Sequence, residues 1–166
     1  MTETTSYPYL VLNLIMEDSY RRRVIGRALE HRAKASPETR KALNGVLRTH
    51  VRRIGGGFRS VERAPAFVLV EGTNQAFQAS NEVVFTVLLA WMEAQAPLAA
   101  DVRAFLDAEE ITYPAESLPP DGFSGEWSAA RMLELADKHL AAHPGADRDD
   151  TALMLCCVTG NAPVGE

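Results

Sequence analysis

The chain has 166 residues, of which 46% are hydrophobic and 23% charged, and its formal net charge is −5. These values are typical of one globular domain with a sizeable core, and no apolar run is long enough to cross a bilayer, which excludes a predicted membrane span. The two cysteines, Cys156 and Cys157, are adjacent, which excludes a disulfide framework and predicts a reducing, cytoplasmic compartment.

The N-terminal stretch is the first predicted helix. Its apolar residues recur at helical spacing after Pro8, which suits a first helical turn. No basic residue precedes this patch and no small-residue cleavage site follows it, so we expect no signal peptide.

Two basic helices are predicted next, between residues 18 and 63, and we call them the basic hairpin. The first begins at Asp18 or Ser19, and the second begins with Ser36 as its cap and Pro37 at its first position. The apolar stripe of the second helix runs from Leu43 to Ile54. Each stripe can bury only one side of its helix.

Three glycines, Gly55, Gly56 and Gly57, follow this second helix, after Arg52 and Arg53 and before Arg59. Glycine just past a helix is a common stop signal, because it adopts the left-handed backbone without steric cost. The phosphate-binding loop requires a preceding strand and a Lys followed by Ser or Thr, and this sequence has neither pattern here. We therefore interpret the glycines as a helix stop and hinge.

The middle of the chain alternates short breaks with apolar segments. Residues 65–78 are read as a helix, with a small hairpin as the alternative. The next segment is apolar almost all round, which is typical of a central helix, and it places Phe85 and Trp91 in the core.

Residues 112–126 contain several prolines and glycines and form a predicted packed loop before the last two helices. The last of these begins with "DRDD", which we interpret as an N-terminal cap whose acidic residues interact favourably with the helix dipole. We therefore predict an all-α fold, a single compact domain over residues 1–166 with six or seven helices.

Charge is sharply segregated along the sequence. Residues 18–63 contain 13 basic and 4 acidic residues, whereas residues 64–166 contain 4 basic and 16 acidic residues. Such asymmetry suggests an anionic partner for the basic hairpin. The residues predicted to contact a partner surface or phosphate groups are Arg22, Arg23, Arg27, Lys34, Lys41, Arg48, Arg52 and Arg59.

Helical spacing groups these cations. Residues 23, 27 and 34 are separated by four and seven positions, and residues 41, 48 and 52 by seven and four, so each set is predicted to share an exposed face. Three alternatives to an external partner remain open. The basic faces could be solvated, could pair with the acidic C-terminal helices, or could join two copies of the chain head to tail.

His139 and His143 form the pattern closest to a metal site, because they lie four residues apart on one predicted helix. Leu140 occupies the position at which zinc peptidases carry Glu, so the pair is only a weak candidate for metal binding. The alternative is a surface pair that caps the end of its helix.

The remaining sequence offers no recognised catalytic motif and implies no cofactor. Cys156 and Cys157 are read as small buried hydrophobic residues. By elimination, we predict a non-catalytic adaptor or regulatory subunit that docks on an acidic protein surface through the basic hairpin. The alternative is a subunit that binds the phosphate backbone of nucleic acid through the same face.

Overall fold

The computed structural model describes residues 17–51, 61, 63–115 and 127–161. Over these residues the protein is all-α, which confirms the predicted fold class, and seven α-helices lie within them. The helices form two compact units, residues 18–94 and the residues from Gln95 onward. The prediction of one domain over residues 1–166 stays a prediction.

Several predicted features lie outside the described residues. These are the N-terminal helix, the three glycines that follow the second basic helix, and most of the loop at 112–126. Only residues 112–115 of that loop are described, and they are non-helical.

Among its described residues, the first unit contains four α-helices and one 3₁₀ turn, which spans Arg32–Lys34. The helices are α1 (Asp18–His31), α2 (Pro37–His50), α3 (Ala66–Ala79) and α4 (Asn81–Ala94). The helical reading of residues 65–78 is therefore confirmed. Both α1 and α2 pack chiefly against α4 rather than against each other, and α1 also packs against α3.

Helix α4 is central in this unit because it is apolar on most of its circumference. The buried residues of α4 are Val83, Val84, Thr86, Val87, Leu88, Ala90, Trp91 and Met92. The prediction that Trp91 is a core residue is confirmed, whereas the same prediction for Phe85 is wrong, because 38% of Phe85 is exposed. Phe85 lies three residues after the exposed Glu82, so α4 keeps one outward stripe at helical spacing.

Glu93, at the end of α4, ties α4 to the junction between α1 and α2. Its carboxylate accepts hydrogen bonds from the Ser36 backbone N–H and hydroxyl, both at 3.1 Å, and from the Thr39 hydroxyl. The Nε2 atom of His31 lies 3.6 Å from the same carboxylate. Burial by itself raises the pKa of Glu93, but these hydrogen bonds outweigh it and hold the pKa below its usual value.

Helix α2 begins as its sequence predicts and ends earlier than predicted. Ser36 accepts a hydrogen bond from the Thr39 backbone N–H at 3.3 Å, and Pro37 occupies the first turn. The helix ends at His50, and Val51 leaves the helical backbone with φ −105° and ψ 83°. The apolar stripe misled the prediction, because Val51 is buried although it is no longer helical.

The second unit contains α5 (Ala96–Ala108), α6 (Ala129–Ala142) and α7 (Arg148–Thr159), and α7 packs against both of the others. Every residue of α7 from Thr151 onward is buried. The predicted cap at "DRDD" is confirmed, because the Asp147 carboxylate accepts from the Asp150 N–H at 3.0 Å. Gly160 ends α7 in the left-handed region, with φ 71°.

No single helix among the described residues is long and apolar enough to cross a membrane, and α4 and α5 meet that test of length and composition only when they are counted together.

Two helical glycines make a matched test of the packing in the first unit. A Cβ at Gly72 would lie 2.7 Å from Val51 Cγ1, whereas a Cβ at Gly45 would meet nothing within 4 Å. We expect Gly45→Ala to raise the free energy of unfolding by about 0.5–1 kcal/mol, because alanine favours the helix. We expect Gly72→Ala to lower it by about 1 kcal/mol, because the stiff Val51 side chain must move. Urea unfolding measures both, and an equal gain in the two variants would contradict the close approach of α3 to Val51.

Candidate interaction surface

The outer side of α1 carries two exposed cations. Arg23 and Arg27 lie four residues apart and point away from the buried side of α1, which includes Val24 and Ala28. The Arg23 guanidinium also lies over the Tyr20 ring, 5.0 Å from its centroid. The predicted exposure of these two arginines is therefore confirmed.

Arg22, by contrast, is held by carboxylates of its own unit. Its Nε donates to Asp18 Oδ2 at 2.8 Å, and its two terminal nitrogens donate to the Glu71 carboxylate on α3. The hydrogen bonds that Arg22 donates to Glu71, followed by the one that it donates to Asp18, raise the pKa of Arg22 above its usual value. We interpret Arg22 mainly as a link between α1 and α3 rather than as a contact that awaits a partner.

The outer side of α2 carries Lys41 and Arg48, which are both exposed and lie seven residues apart on one helix face. Lys34 is exposed too, but its predicted place in an α-helical row with Arg27 is wrong. Helix α1 ends at His31, and Lys34 lies in the following 3₁₀ turn, where the spacing of an α-helix no longer applies. Arg52 and Arg59 lie outside the described residues.

We define the basic face by its five exposed cations, which are Arg23, Arg27, Lys34, Lys41 and Arg48. Within the described part of the chain, Arg27, Lys34 and Lys41 form no ion pair or side-chain hydrogen bond. The unit that carries them, residues 18–94, has 13 basic and 7 acidic residues. Its excess positive charge is therefore partly left at the surface, without a counter-ion from the described residues.

Phe67 is a surface feature that the sequence analysis missed. It lies in the first turn of α3 and is 80% exposed, more than any other large hydrophobic side chain among the described residues. It precedes Glu71, the partner of Arg22, by one helical turn on the exposed side of α3. Phe67 lies in the apolar run "APAFVLV", whose other residues are buried or half-buried, so the run itself did not indicate that Phe67 is exposed.

His139 lies in the second unit, and the prediction of a surface pair is wrong for it. The side chain is fully buried, stacks on His143 with ring centroids 4.4 Å apart, and meets the edge of Phe105 at 5.4 Å. Neither ring nitrogen has a hydrogen-bond partner among the residues that the structure describes. Burial lowers the pKa of His139, a nearby His143 lowers it further, and Asp101 opposes the shift.

The pair remains a weak candidate for metal binding. Among the residues that the structure describes, no three His, Cys, Asp or Glu side chains converge as a metal site would require. Two histidines four residues apart would therefore need further ligands from another source.

Cys156 and Cys157 are fully buried free thiols on α7, which confirms their reading as small core residues. Burial raises the pKa of each thiol, so neither is primed to form the reactive thiolate.

No protein-family model matches this chain, and neither a curated protein nor a solved structure shows significant similarity to it.

The buried His139 predicts that acid weakens the second unit. Its pKa in the folded chain lies below 6.5, so the unfolded chain binds the proton first as the pH falls. Stability is therefore full well above pH 6.5 and declines as the pH falls through that value, by up to about 1.4 kcal/mol per pH unit, until the folded pKa is reached. We expect His139→Phe to reduce this slope in urea unfolding between pH 7 and 5, because phenylalanine keeps the ring packing without titrating.

His143→Asn is the control for the stacked neighbour, since it removes the smaller of the two contributions that lower the pKa of His139. It should retain most of the acid slope. Parallel slopes for the wild type and His139→Phe would show that His139 does not titrate on unfolding.

Proposed function

We propose that the protein is a non-catalytic helical interaction module that docks on an acidic surface of a larger protein through its basic face. The observation that carries this proposal is the exposure of Arg27, Lys34 and Lys41 without a carboxylate partner among the described residues. A surface with several exposed cations attracts an acidic surface and accelerates the encounter of the two proteins.

The exposed Phe67 favours a protein partner. Aromatic side chains that are exposed in a free protein often become buried anchors at the centre of a protein interface, surrounded by polar contacts. Phe67 lies on α3, which packs against α1 and is linked to it by the ion pair between Glu71 and Arg22. An exposed apolar side chain in the same unit as the exposed cations suits a protein surface that carries acidic residues around an apolar patch.

Nucleic acid is the second candidate, and it uses the same cations. The pairing of Arg22 with Asp18 and Glu71 occupies one of the predicted phosphate contacts. Phosphate contacts give affinity without sequence preference and a steep dependence on salt. Among the described residues the exposed large aromatic side chains are Phe67 and Phe85, and Tyr20 beside Arg23 is buried, so few rings are available to stack on bases, which also favours the protein partner.

A crosslinking experiment tests the proposal and identifies the partner. A photoreactive amino acid replaces Ala42, which is exposed on α2 next to Lys41, or Ala130, which is exposed on α6 in the second unit. We expect irradiation in cells of the source organism to crosslink one defined protein from position 42 and not from position 130.

Binding to the purified partner is then measured with a charge-reversal variant, Arg27→Glu with Lys41→Glu, and with a control that keeps both charges, Arg27→Lys with Lys41→Arg. We expect charge reversal to weaken binding by at least about tenfold, mainly through slower association, and the control to stay within about twofold. Circular dichroism checks that each variant is folded. Equal affinity for both variants would refute docking through the basic face.

Labelled RNA and duplex DNA form the other arm of the experiment. If nucleic acid binds at 50 mM salt, loses about a thousandfold in affinity by 200 mM, and fails to bind the reversed variant, the second candidate replaces the first.

A further inference from the structure

A cavity of about 550 Å³ lies in the first unit, beside the junction between α1 and α2. This volume falls in the range of ordinary small-molecule sites. Polar groups line one part of it, and small apolar groups line the rest. The polar residues of the lining are Glu30, Arg32, Arg40 and Asn44, and the apolar ones are Leu29, Ala33, Ala64, Pro65 and Ala66.

Arg32 is the unusual residue of this cavity, because it is an arginine that is only 8% exposed. Its Nη1 donates to the Val61 carbonyl oxygen at 2.6 Å and to Asn44 Oδ1 at 3.4 Å, and its Nη2 donates to the Ala64 carbonyl oxygen at 2.8 Å. These neutral acceptors use at most three of the five N–H groups of a guanidinium.

No carboxylate of the described residues forms an ion pair with Arg32, although Glu30 is exposed at the same cavity. Burial lowers the pKa of Arg32. A buried charge is ordinarily compensated by an opposite charge, because desolvation without a partner is costly. The described residues therefore supply no counter-ion to Arg32, which lies beside an open cavity.

Arg40 supplies a second guanidinium to the same cavity. It is exposed on α2 and donates a long hydrogen bond of 3.3 Å to the Ala33 carbonyl oxygen, a weak contact that leaves its guanidinium accessible to a ligand. Two guanidinium groups and the Asn44 side-chain amide form the donor set that recognises a carboxylate or phosphate group.

We infer that this cavity binds a small organic anion, whose carboxylate or phosphate group meets Arg40, Asn44 and the free edge of Arg32. The apolar body of the ligand lies against the alanine and proline wall. This inference does not rest on docking through the basic face, since it uses Arg32 and Arg40 rather than Arg27, Lys34 and Lys41.

The test uses the full chain, with phenyl phosphate and inorganic phosphate as probes at constant ionic strength. Binding is followed by ¹⁵N NMR at the Asn44 side-chain amide and the Arg32 Nε–H. We expect both signals to shift together and to saturate. We also expect phenyl phosphate to bind more tightly than inorganic phosphate, because the cavity wall is apolar.

Arg40→Gln is the test variant, because Arg40 is exposed and its loss leaves the Arg32 hydrogen bonds in place. Arg27→Gln is the matched control, since it removes the same charge from an exposed position on α1 outside the cavity lining. We expect the Kd for phenyl phosphate to rise at least about tenfold in Arg40→Gln and to stay within about twofold in Arg27→Gln.

Three outcomes would overturn the inference. The first is that neither signal shifts at saturating phosphate. The second is that both variants weaken binding equally, which would mean general attraction to a positive surface. The third is that Arg40→Gln leaves the Kd unchanged. None of these results bears on docking through the basic face, which the partner-binding variants test separately.

Discussion

The burial of α4 is the constraint on which the first unit depends. A helix with apolar residues on most of its circumference must be covered on several sides, because each exposed large apolar side chain costs about 1.5–3 kcal/mol. Helices α1, α2 and α3 supply that cover with their apolar stripes. Once those stripes face α4, the opposite sides of α1 and α2 must face outward, and these sides carry the cations. The basic face is therefore a consequence of how the core is built.

The arginines of this unit serve three different purposes that charge counting treats as one. Arg22 links two helices through Asp18 and Glu71, and Arg32 braces the backbone at Val61 and Ala64 from a buried position. Arg27 remains exposed with no partner among the described residues. Only residues of the third kind add to the surface field that attracts a partner, although all three contribute equally to the net charge of the sequence.

Local signals in the sequence predicted much of the fold. Caps such as Ser36 and Asp147, and the apolar pattern of α4, depend on neighbouring residues alone, and the structure confirms them. The errors arise where tertiary packing decides the outcome. Val51 is buried without being helical, and His139 is enclosed by a ring from another helix.

The candidate sites were less predictable than the fold, for the same reason. Helical spacing correctly gave the exposure of Arg23 and Arg27, because the buried stripe of α1 fixes the opposite side. It could not separate Arg32 from its basic neighbours, because the role of Arg32 is set by carbonyl groups about thirty residues away in the chain. The exposure of Phe67 likewise depends on which side of α3 the other helices cover.

Lysine reactivity tests the central claim, that α4 fixes an outward basic face on which Lys34 and Lys41 have no carboxylate partner among the described residues. The chain has three lysines, so amine labelling followed by mass spectrometry reports on each one. Lys138 forms an ion pair with Glu109, whereas Lys34 and Lys41 form none among the described residues. We predict that Lys34 and Lys41 are labelled in the native protein nearly as fast as in the denatured chain, and that Lys138 is labelled more slowly. Slow labelling of Lys34 and Lys41 in the free protein would contradict the account, because it would show that the basic face is already covered.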